Sequence, residues 1–378
     1  MHPCKILYVA SGLGVGGAET MLLQLARGLG ERGHEQYVIS MTGIGPIGLM
    51  LQDLGVSVVG LNMQSSFGFA SGLWKLRRAV AATAPDIIQG WMYHGNLAAL
   101  FAHSTCLGRR RRRLYWGLRA TIVTDGRYDR MLGWSARLSG IPKAIIANSK
   151  AGMIEHVARG FHARRFEVIP NGIDTERFRP NAYARARLRA AWGVGEDDVV
   201  LIHVARVDVM KDHTSFLRAV EALPHVRAIL VGLGTEQLTL PPNARALGVR
   251  DDVDQLYAAA DIVVSSSAYG EGFSNVVAEG MSTGLTPVTT DVGDARAIIG
   301  EVGQVVPPCD AGALARALGD MAMLSRRARE NLGQRARQRI ISEFSIEKAV
   351  SRFERLYCGT EETGISAKRM ERDAGSRT

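Results

Sequence analysis

The stretch from residue 268 to residue 291, AYGEGFSNVVAEGMSTGLTPVTTD, predicts three structural elements in succession. Glycines on both sides of Glu271 are typical of a loop. Apolar side chains then recur at three- and four-residue spacing from Phe273 to Met281, which predicts a helix. The β-rich run 287–290 predicts a strand. The stretch is therefore expected to form a loop–helix–strand unit of an α/β fold.

Two carboxylates accompany the start of this predicted helix. Glu271 comes just before it, and Glu279 lies about two turns inside. The first amides of a helix lack internal partners and carry partial positive charge, so they bind phosphate or orient hydroxyls. Here we predict that these amides belong to Gly272, Phe273, Ser274 and Asn275. Ionised carboxylates accept hydrogen bonds from sugar or ribose hydroxyls. A solvated loop Glu and a surface Glu are the alternative, which the complete pattern disfavours.

Size and composition predict a globular protein of two domains. The chain has 378 residues, of which 46% are hydrophobic and 22% charged. It has no apolar run of about eighteen residues, and its first residues lack a signal-peptide pattern. Its four cysteines are scattered without metal-type or redox spacing: Cys4, Cys106, Cys309 and Cys358. We therefore expect a reducing, cytoplasmic setting.

The net charge of +9 allows an anionic partner. Its sharpest feature is the run of five arginines from Arg109 to Arg113. Such a cluster is attracted to anionic lipid headgroups, so it could contact the inner face of a membrane peripherally. The alternative, which the sequence leaves open, is an ordinary solvated loop. Nucleic acid is not expected as a partner, because the run has no interleaved aromatics and no nucleic-acid module is found.

Strands and helices alternate along the chain, which predicts parallel sheets with helices on both faces. The predicted strands of the first half are 6–10, 37–40, 56–61, 87–91, 114–117, 144–148 and 166–169. The turn residues of 170–174 predict a domain boundary, after which the strands 199–204, 228–232, 262–265 and 287–290 follow. We expect an N-terminal domain 1–170, a C-terminal domain 171–345, a last helix 346–358 that rejoins the first domain, and a disordered tail 359–378.

The loop after the first strand, SGLGVGGAET (11–20), is rich in glycine. Three glycines match the dinucleotide fingerprint: Gly12, Gly14 and Gly17. That motif needs an acidic residue about twenty positions on, and Asp53 comes too late, so a nicotinamide site is disfavoured. The alternative is that Gly16 and Gly17 let the backbone approach a diphosphate. Glu19 then follows as a first-turn acid, which also suits the helix dipole.

Cations follow two further predicted strands. In HVARVDVMKDH (203–213), Arg206 and Lys211 suit a diphosphate, because Arg can hold two oxygens and Lys acts as a point charge. In GWMYHGN (90–96), His94 could donate to a sugar hydroxyl or phosphate oxygen. Arg119 is a weaker candidate for the acceptor or a phosphate. Each of these residues alone would more often be an ordinary surface or loop residue.

Together these motifs resemble those of the retaining glycosyltransferases of family four. In that family two glutamates are separated by seven residues, as Glu271 and Glu279 are. The spacing from Arg206 to Lys211 resembles the family's diphosphate clamp. The resemblance runs from the Gly-Gly-x-Glu element at residues 16–19 to about residue 303. One departure is Gly280, which stands where the family usually has Ala.

The resemblance implies the GT-B fold, with two Rossmann-like doubly wound domains facing across a cleft. It implies retaining transfer of a sugar from a nucleoside diphosphate sugar to an acceptor hydroxyl, in synthesis of a cell-surface polysaccharide or glycolipid. Glu279 would hold the ribose, Glu271 and the amides of residues 272–275 the sugar, and Arg206 and Lys211 the departing diphosphate. His94 would contact the donor sugar.

No cofactor is expected besides the nucleotide-sugar donor. No Asp-x-Asp motif ends a strand, and the two cations can replace a metal's charge, so we predict metal independence. A lipid-linked or growing saccharide would be the acceptor. Two alternatives are a GT-B-fold nucleotide-sugar epimerase, which would use the same nucleotide site without an acceptor, and a non-enzymatic protein that binds through Arg109–Arg113. The sequence leaves the donor base open.

Overall fold

The computed structural model describes residues 3–64, 66–105, 112–119, 121 and 129–359. Its backbone contacts divide the chain into two compact α/β units. The first unit runs to Gly172 and resumes at Ile346, and the second unit is Ile173–Ser345. The chain thus changes unit inside the turn-rich segment 170–174. The predicted disordered tail lies outside the described residues, apart from Gly359.

The first unit is built on a seven-stranded parallel sheet of order β3-β2-β1-β4-β5-β6-β7. Its strands are β1 (Lys5–Ala10), β2 (Glu35–Ser40), β3 (Ser57–Gly60), β4 (Ile87–Trp91), β5 (Arg113–Leu118), β6 (Ala144–Ala147) and β7 (Phe166–Val168). Its helices before the second unit are α1 (Gly17–Glu31), α2 (Gly45–Asp53), α3 (Ser66–Thr83), α4 (Met92–Thr105), α5 (Asp129–Leu138) and α6 (Lys150–Ala158).

Strand β1 shows why this sheet is covered on both faces. Successive side chains of a strand point to opposite faces. Ile6 and Tyr8 pack into one hydrophobic cluster with α1, while Leu7 and Val9 pack into another with α3 and α4. All four side chains are fully buried, so the strand is a continuous apolar run rather than an alternating one.

The last helix, α14 (Ile346–Cys358), packs on the first unit although it follows the second in sequence. A Cβ placed on Gly28 of α1 would lie 2.6 Å from a methyl of Val350, so the two helices approach closely where α1 has no side chain. Tyr357 Oη donates to Gln89 Oε1 of β4 over 3.1 Å. These contacts fix the end of the chain to the first sheet.

The second unit contains a six-stranded parallel sheet of order β10-β9-β8-β11-β12-β13. Its strands are β8 (Val199–Val204), β9 (Val226–Val231), β10 (Ala244–Ala246), β11 (Ile262–Ser265), β12 (Thr286–Thr290) and β13 (Gln304–Val306). Its helices are α7 (Ala182–Trp192), α8 (His213–Glu221), α9 (Val253–Ala259), α10 (Asn275–Ser282), α11 (Ala295–Ile299), α12 (Ala311–Met323) and α13 (Arg326–Arg339).

The predicted α/β class with parallel sheets is confirmed in both units. Strands β10 and β13 escaped prediction because each is an edge strand of only three residues, too short to show a periodic pattern. Helices α2, α5, α6, α7 and α11 were not specified either. Within the described part of the chain, the longest apolar helices fall short of what a membrane crossing needs.

Candidate active site

The second sheet has its topological switch point between β8 and β11. The two strands are neighbours, with Leu201 opposite Ile262, yet the chain continues from β8 towards β9 and from β11 towards β12 on opposite sides. Doubly wound sheets bind ligands beyond the carboxyl ends of the strands at this point. Arg206 and Lys211 follow β8, and Glu271 follows β11. The predicted cations and one predicted carboxylate therefore share one edge of the sheet.

Lys211 and Glu271 are in direct contact. Lys211 Nζ forms an ion pair with Glu271 Oε1, and the same oxygen accepts from Ser267 Oγ over 3.0 Å. Only about a fifth of each side chain is exposed, 22% for Lys211 and 18% for Glu271. A pair so shielded is screened by solvent less than a surface pair. The structure thus brings together the predicted second cation and the predicted sugar-binding carboxylate.

The two loops that carry this ion pair are bonded to each other along their backbones. Ala268 N donates to the carbonyl of Met210 over 2.8 Å, and Ser266 Oγ donates to the carbonyl of Lys211 over 2.7 Å. Because both anchors lie next to the ion pair, the ammonium and the carboxylate are held by backbone geometry as well as by their charges.

Arg206 has a different environment from Lys211. Its side chain is 60% exposed, and Nε and Nη2 donate to Asp208 Oδ2 over 3.2 and 3.1 Å. The pKa of Asp208 is lowered, chiefly by the backbone N–H of Met210 and then by Arg206. Asp208 is a site residue that the sequence analysis missed, although an Asp that caps a short helical turn is a recognisable signal. Each predicted cation therefore has its own carboxylate partner.

The prediction that residues 272–275 supply the first amides of the helix is partly wrong. Helix α10 begins at Asn275 with Ser274 at its N-cap, so the first amides of the helix are those from Ser274 onward. Gly272 and Phe273 lie in the bend before the helix. The Phe273 ring is buried, 5.5 Å from the ring of Phe344, and serves the core. Spacing placed Phe273 in the helix because a buried residue just before an N-cap matches the same apolar pattern.

Glu279 lies in the second turn of α10 and is half-buried. Tyr257 Oη of α9 donates to Glu279 Oε2 over 3.3 Å. Burial raises the pKa of Glu279 to about 7, against smaller opposing effects of Tyr257 and Arg177. The next residue, Gly280, faces β11 so closely that a Cβ there would lie 2.5 Å from Val263 Cβ. The absence of a side chain at residue 280 is therefore a packing requirement.

The first unit has a second group of predicted residues at its own switch point, between β1 and β4. Gly16 is the N-cap of α1, Gly17 is its first residue, and His94 is the third residue of α4, directly after β4. Ser11 Oγ joins the two loops, since it accepts from Gly95 N over 3.2 Å and donates to the carbonyl of Trp91 over 3.3 Å. The predicted residues of this unit thus lie at the starts of α1 and α4, and Ser11 links the loop before α1 to the start of α4.

Burial shifts the pKa values of two acid–base groups at this edge. It lowers the pKa of His94, so the imidazole is neutral at pH 7 and one ring nitrogen can donate. It raises the pKa of Glu19. A Cβ on Gly16 would lie 2.5 Å from Glu19 Oε2, so a side chain at residue 16 would displace this carboxyl group.

Arg119 is a structural residue, which corrects its prediction as a ligand-binding candidate. The side chain is buried, with its guanidinium 4.6 Å from the ring centre of Trp91 and 5.1 Å from that of Phe353. Nη1 donates to the carbonyl of Ile169 over 3.1 Å and to Asn171 Oδ1 over 3.3 Å. Burial lowers the pKa of Arg119 to about 10, which still leaves it charged at pH 7.

The arginine run 109–113 falls largely outside the described residues. Arg113 is the first residue of β5 and is half-buried. The last arginine of the run therefore belongs to the sheet rather than to a solvated loop.

Two family models match the chain, one in each half. The model of Glycosyltransferase Family 4 matches residues 15–177, and that of Glycosyl transferases group 1 matches residues 198–323. Among solved structures, Anabaena HepE in complex with UDP superimposes with a TM-score of 0.82 at 23% identity, over 93% of this chain and 99% of HepE. Two doubly wound units, each with candidate ligand-binding residues at its switch point, fit the GT-B class. The chain belongs to the group 1 glycosyltransferases of GT-B fold.

Curated relatives agree with this family. EpsD of Bacillus subtilis, a putative glycosyltransferase, is 30% identical over 202 residues, which cover 49% of this chain and 52% of EpsD. N-acetyl-alpha-D-glucosaminyl L-malate synthase of Bacillus anthracis is 24% identical over 91% of this chain and 94% of its own length. Against EpsD and the D-inositol 3-phosphate glycosyltransferases, the chain spans about half the relative's length or less.

Proposed function

We propose that the protein transfers a sugar, with retention of configuration, from a nucleoside diphosphate sugar to an acceptor hydroxyl. The observation that carries this proposal is the contact of Lys211 with Glu271 at the switch point of the second sheet. A diphosphate carries negative charge and gains more as it departs, so fixed cations lower the barrier to its departure. Lys211 already neutralises one carboxylate there and can exchange it for a phosphate oxygen.

Arg206 is the second cation of the proposed diphosphate site. It lies on the same loop as Lys211, and its exposed guanidinium can turn from Asp208 to a phosphate. Arg holds two oxygens in a fork while Lys acts as a point charge, so the pair can bind both phosphoryl groups. These two cations supply the charge that a metal ion would otherwise supply, and we propose that transfer needs no metal.

The carboxylates take the sugar and ribose in this proposal. Glu271 is positioned by Ser267 and, once Lys211 binds phosphate, accepts from sugar hydroxyls. Glu279 accepts from the ribose hydroxyls. The amides at the start of α10, from Ser274 onward, add partial positive charge beside Glu271.

The first unit contributes its own candidates. We propose that the backbone at Gly16 and Gly17 approaches a phosphate, because neither residue has a side chain of its own. His94, neutral at pH 7, would donate to a hydroxyl or phosphate oxygen of the substrate.

Relatives and structural neighbours support a nucleotide-sugar donor. HepE is described in complex with UDP, with UDP-glucose, and with UDP and glucose. One relative from Mycolicibacterium smegmatis is named a GDP-mannose-dependent mannosyltransferase. EpsD and EpsF are putative glycosyltransferases, and WaaG acts in lipopolysaccharide biosynthesis. We propose a saccharide or lipid-linked acceptor in cell-surface polysaccharide or glycolipid synthesis.

A transfer assay tests the proposal. The protein is incubated with UDP-glucose or GDP-mannose and with p-nitrophenyl glycosides or a bacterial lipid extract as acceptor. The released nucleoside diphosphate and the mass of the product are measured with and without EDTA. We expect a glycosylated acceptor, the same anomeric configuration as the donor, and no effect of EDTA. Lys211→Ala should lower the rate on the order of 10²-fold or more. Arg326→Ala, an exposed arginine on α13, is the control and should keep full activity.

Two outcomes would contradict the proposal. A changed free nucleotide sugar without transfer would indicate an epimerase. Full turnover by folded Lys211→Ala would remove the diphosphate role of this residue.

We also propose peripheral membrane contact through residues 109–111. Flotation with vesicles that contain anionic phosphatidylglycerol should recover the wild-type protein, and replacement of these three arginines by glutamine should weaken recovery several-fold. Equal recovery of the two proteins, or recovery with neutral vesicles, contradicts membrane contact through the arginine run.

A further inference from the structure

Two cysteines at opposite ends of the chain meet in the first unit. Cys4 directly precedes β1, and Cys358 is the last residue of α14. Their Sγ atoms lie 2.6 Å apart although the residues are separated by 354 positions. In the sequence the cysteines are scattered without redox spacing, and only the return of α14 to the first sheet places them together.

The distance between the sulfurs favours a bond over a shared metal. A disulfide bond is about 2.05 Å long. Two thiolates bound to one tetrahedral zinc at about 2.3 Å each would have sulfurs about 3.8 Å apart. The observed distance between the two sulfurs is closer to that of the bonded pair. The two thiols can therefore form a disulfide with little movement of the backbone.

His34 completes a group of three potential metal ligands, but its ring nitrogens are already used. The ligand atoms of Cys4, His34 and Cys358 lie within 4.8 Å of one another. Nδ1 accepts from the backbone N–H of Cys4 over 3.1 Å, so the ring proton is on Nε2, which faces Glu354 Oε1 at 3.3 Å. A metal ion would have to break one of these contacts, whereas a disulfide leaves both intact.

Helix α14 is held at this place by contacts other than the sulfurs. Arg32 Nη1 pairs with Glu354 over 2.5 Å, and Arg32 Nη2 donates to Ser351 Oγ over 3.0 Å. Because Arg32 closes α1 and the two partners lie on α14, the end of the helix stays beside β1 with the thiols unbonded.

We propose that Cys4 and Cys358 form a reversible disulfide that ties the end of α14 to the start of β1. The oxidant is a small disulfide such as oxidised glutathione. Cys358, which is half-exposed, attacks one glutathione sulfur as its thiolate and releases one glutathione thiol. Cys4 then attacks the mixed disulfide and releases the second. Two thiols lose two protons and two electrons, and one oxidised glutathione becomes two reduced molecules.

The surroundings of the pair set the rate of this exchange. Burial, followed by the contact with Cys4, raises the pKa of Cys358 to about 12. Thiolate is therefore scarce at neutral pH, and exchange should be slow there and faster at alkaline pH. The disulfide should therefore form and break slowly at neutral pH, and once formed it holds α14 on the first unit.

The test is oxidation of the full-length protein with oxidised glutathione at pH 8.5, compared with the reduced protein. We expect an intact mass about 2 Da lower, loss of two titratable thiols, and a tryptic peptide pair containing Cys4 and Cys358. The melting temperature should rise by several degrees on oxidation and return with dithiothreitol. Cys309→Ser, which removes an exposed cysteine, should behave as wild type, and Cys358→Ser should show none of these changes.

Other results overturn the proposal. Persistent glutathione adducts, a disulfide that involves Cys106 or Cys309, or unchanged thiols in the wild-type protein would each contradict it. So would one equivalent of zinc in the purified protein that is lost in Cys358→Ser, since this would make the cluster a metal site. The adduct, disulfide and thiol readouts use the wild-type protein, so they hold even if a variant folds poorly.

Discussion

Tyr257 donates a hydrogen bond of 3.3 Å to Glu279, and the two residues lie on adjacent helices of the second unit. Burial raises the pKa of Glu279 to about 7, although this hydrogen bond acts in the opposite direction. The carboxyl group that we propose as the acceptor for ribose hydroxyls is thus half protonated near neutral pH before a ligand arrives.

Glu279→Gln should make stability less sensitive to pH. Between pH about 4.5 and about 7 the unfolded chain has lost the proton that folded Glu279 retains, so this residue lowers stability as pH rises. Gln lacks that penalty. We compare the free energy of unfolding of the variant with that of wild type. This difference should be about 2 kcal/mol more stabilising for the variant at pH 8 than at pH 5, after allowance for partial exposure of Glu279. Urea titration measures this difference.

The control for this prediction is Glu330→Gln on the exposed face of α13, which should show no comparable pH-dependent difference. A Glu279→Gln variant whose difference from wild type is the same at both pH values would show that the carboxyl group ionises normally in the folded protein.

Tyr257→Phe should weaken nucleotide binding at pH 7 while the fold is retained. The hydrogen bond of Tyr257 lowers the pKa of Glu279, so its loss raises that pKa further and leaves less acceptor carboxylate. The affinity midpoint should move to higher pH, and stability should fall by about 1 kcal/mol. Calorimetric titration from pH 6 to pH 8.5 measures the midpoint, and an unshifted midpoint contradicts the coupling of these residues.

Much of this region could be predicted from sequence because its strands are strongly apolar. The ends of β8 and β11 are as predicted, since both strands are buried runs rich in β-branched residues. The contact between Lys211 and Glu271 depends on which strands are neighbours, which no local pattern states. Asp208 was not predicted, because its pairing with Arg206 is set by the conformation of the loop.

Arg119 shows the limit of reasoning from local sequence. It follows the buried strand β5, as ligand-binding cations often do, and this made it a candidate. Arg119 is buried because Phe353 of α14, which comes late in the chain, covers its guanidinium. Only the return of α14 to the first unit, a tertiary arrangement, turns this cation into a core residue.

Gly280→Ala should destabilise the protein by about 1–3 kcal/mol, because the new methyl group would overlap Val263. The cost should shrink in a Val263→Ala background, where space is available, so a double-mutant cycle should give a coupling energy of about 1 kcal/mol. Chemical denaturation of the four proteins measures it. Gly133→Ala is the control, since nothing lies within 4 Å of a Cβ there. Additive effects of the Gly280 and Val263 changes contradict the packing explanation.

Arg119→Ala should lower stability by about 3 kcal/mol and leave transfer activity of the folded protein unchanged. The change leaves a cavity between Trp91 and Phe353 and removes a donor from the carbonyl of Ile169. Arg137→Ala, which removes an exposed guanidinium 5.7 Å from Trp134, should cost less than about 1 kcal/mol. Denaturation and a transfer assay below the melting range measure both. Lost activity at normal stability would restore the ligand-binding role.

We propose that Lys211 binds the diphosphate of a nucleotide. Isothermal titration of UDP, GDP and ADP into metal-free wild type and Lys211→Ala measures this binding. We predict that wild type binds at least one of these nucleotides and that the variant binds it on the order of 10- to 100-fold more weakly, as expected for loss of a charge-assisted bond. Equal affinity in the two proteins, or no binding of any of the three to wild type, would contradict the account.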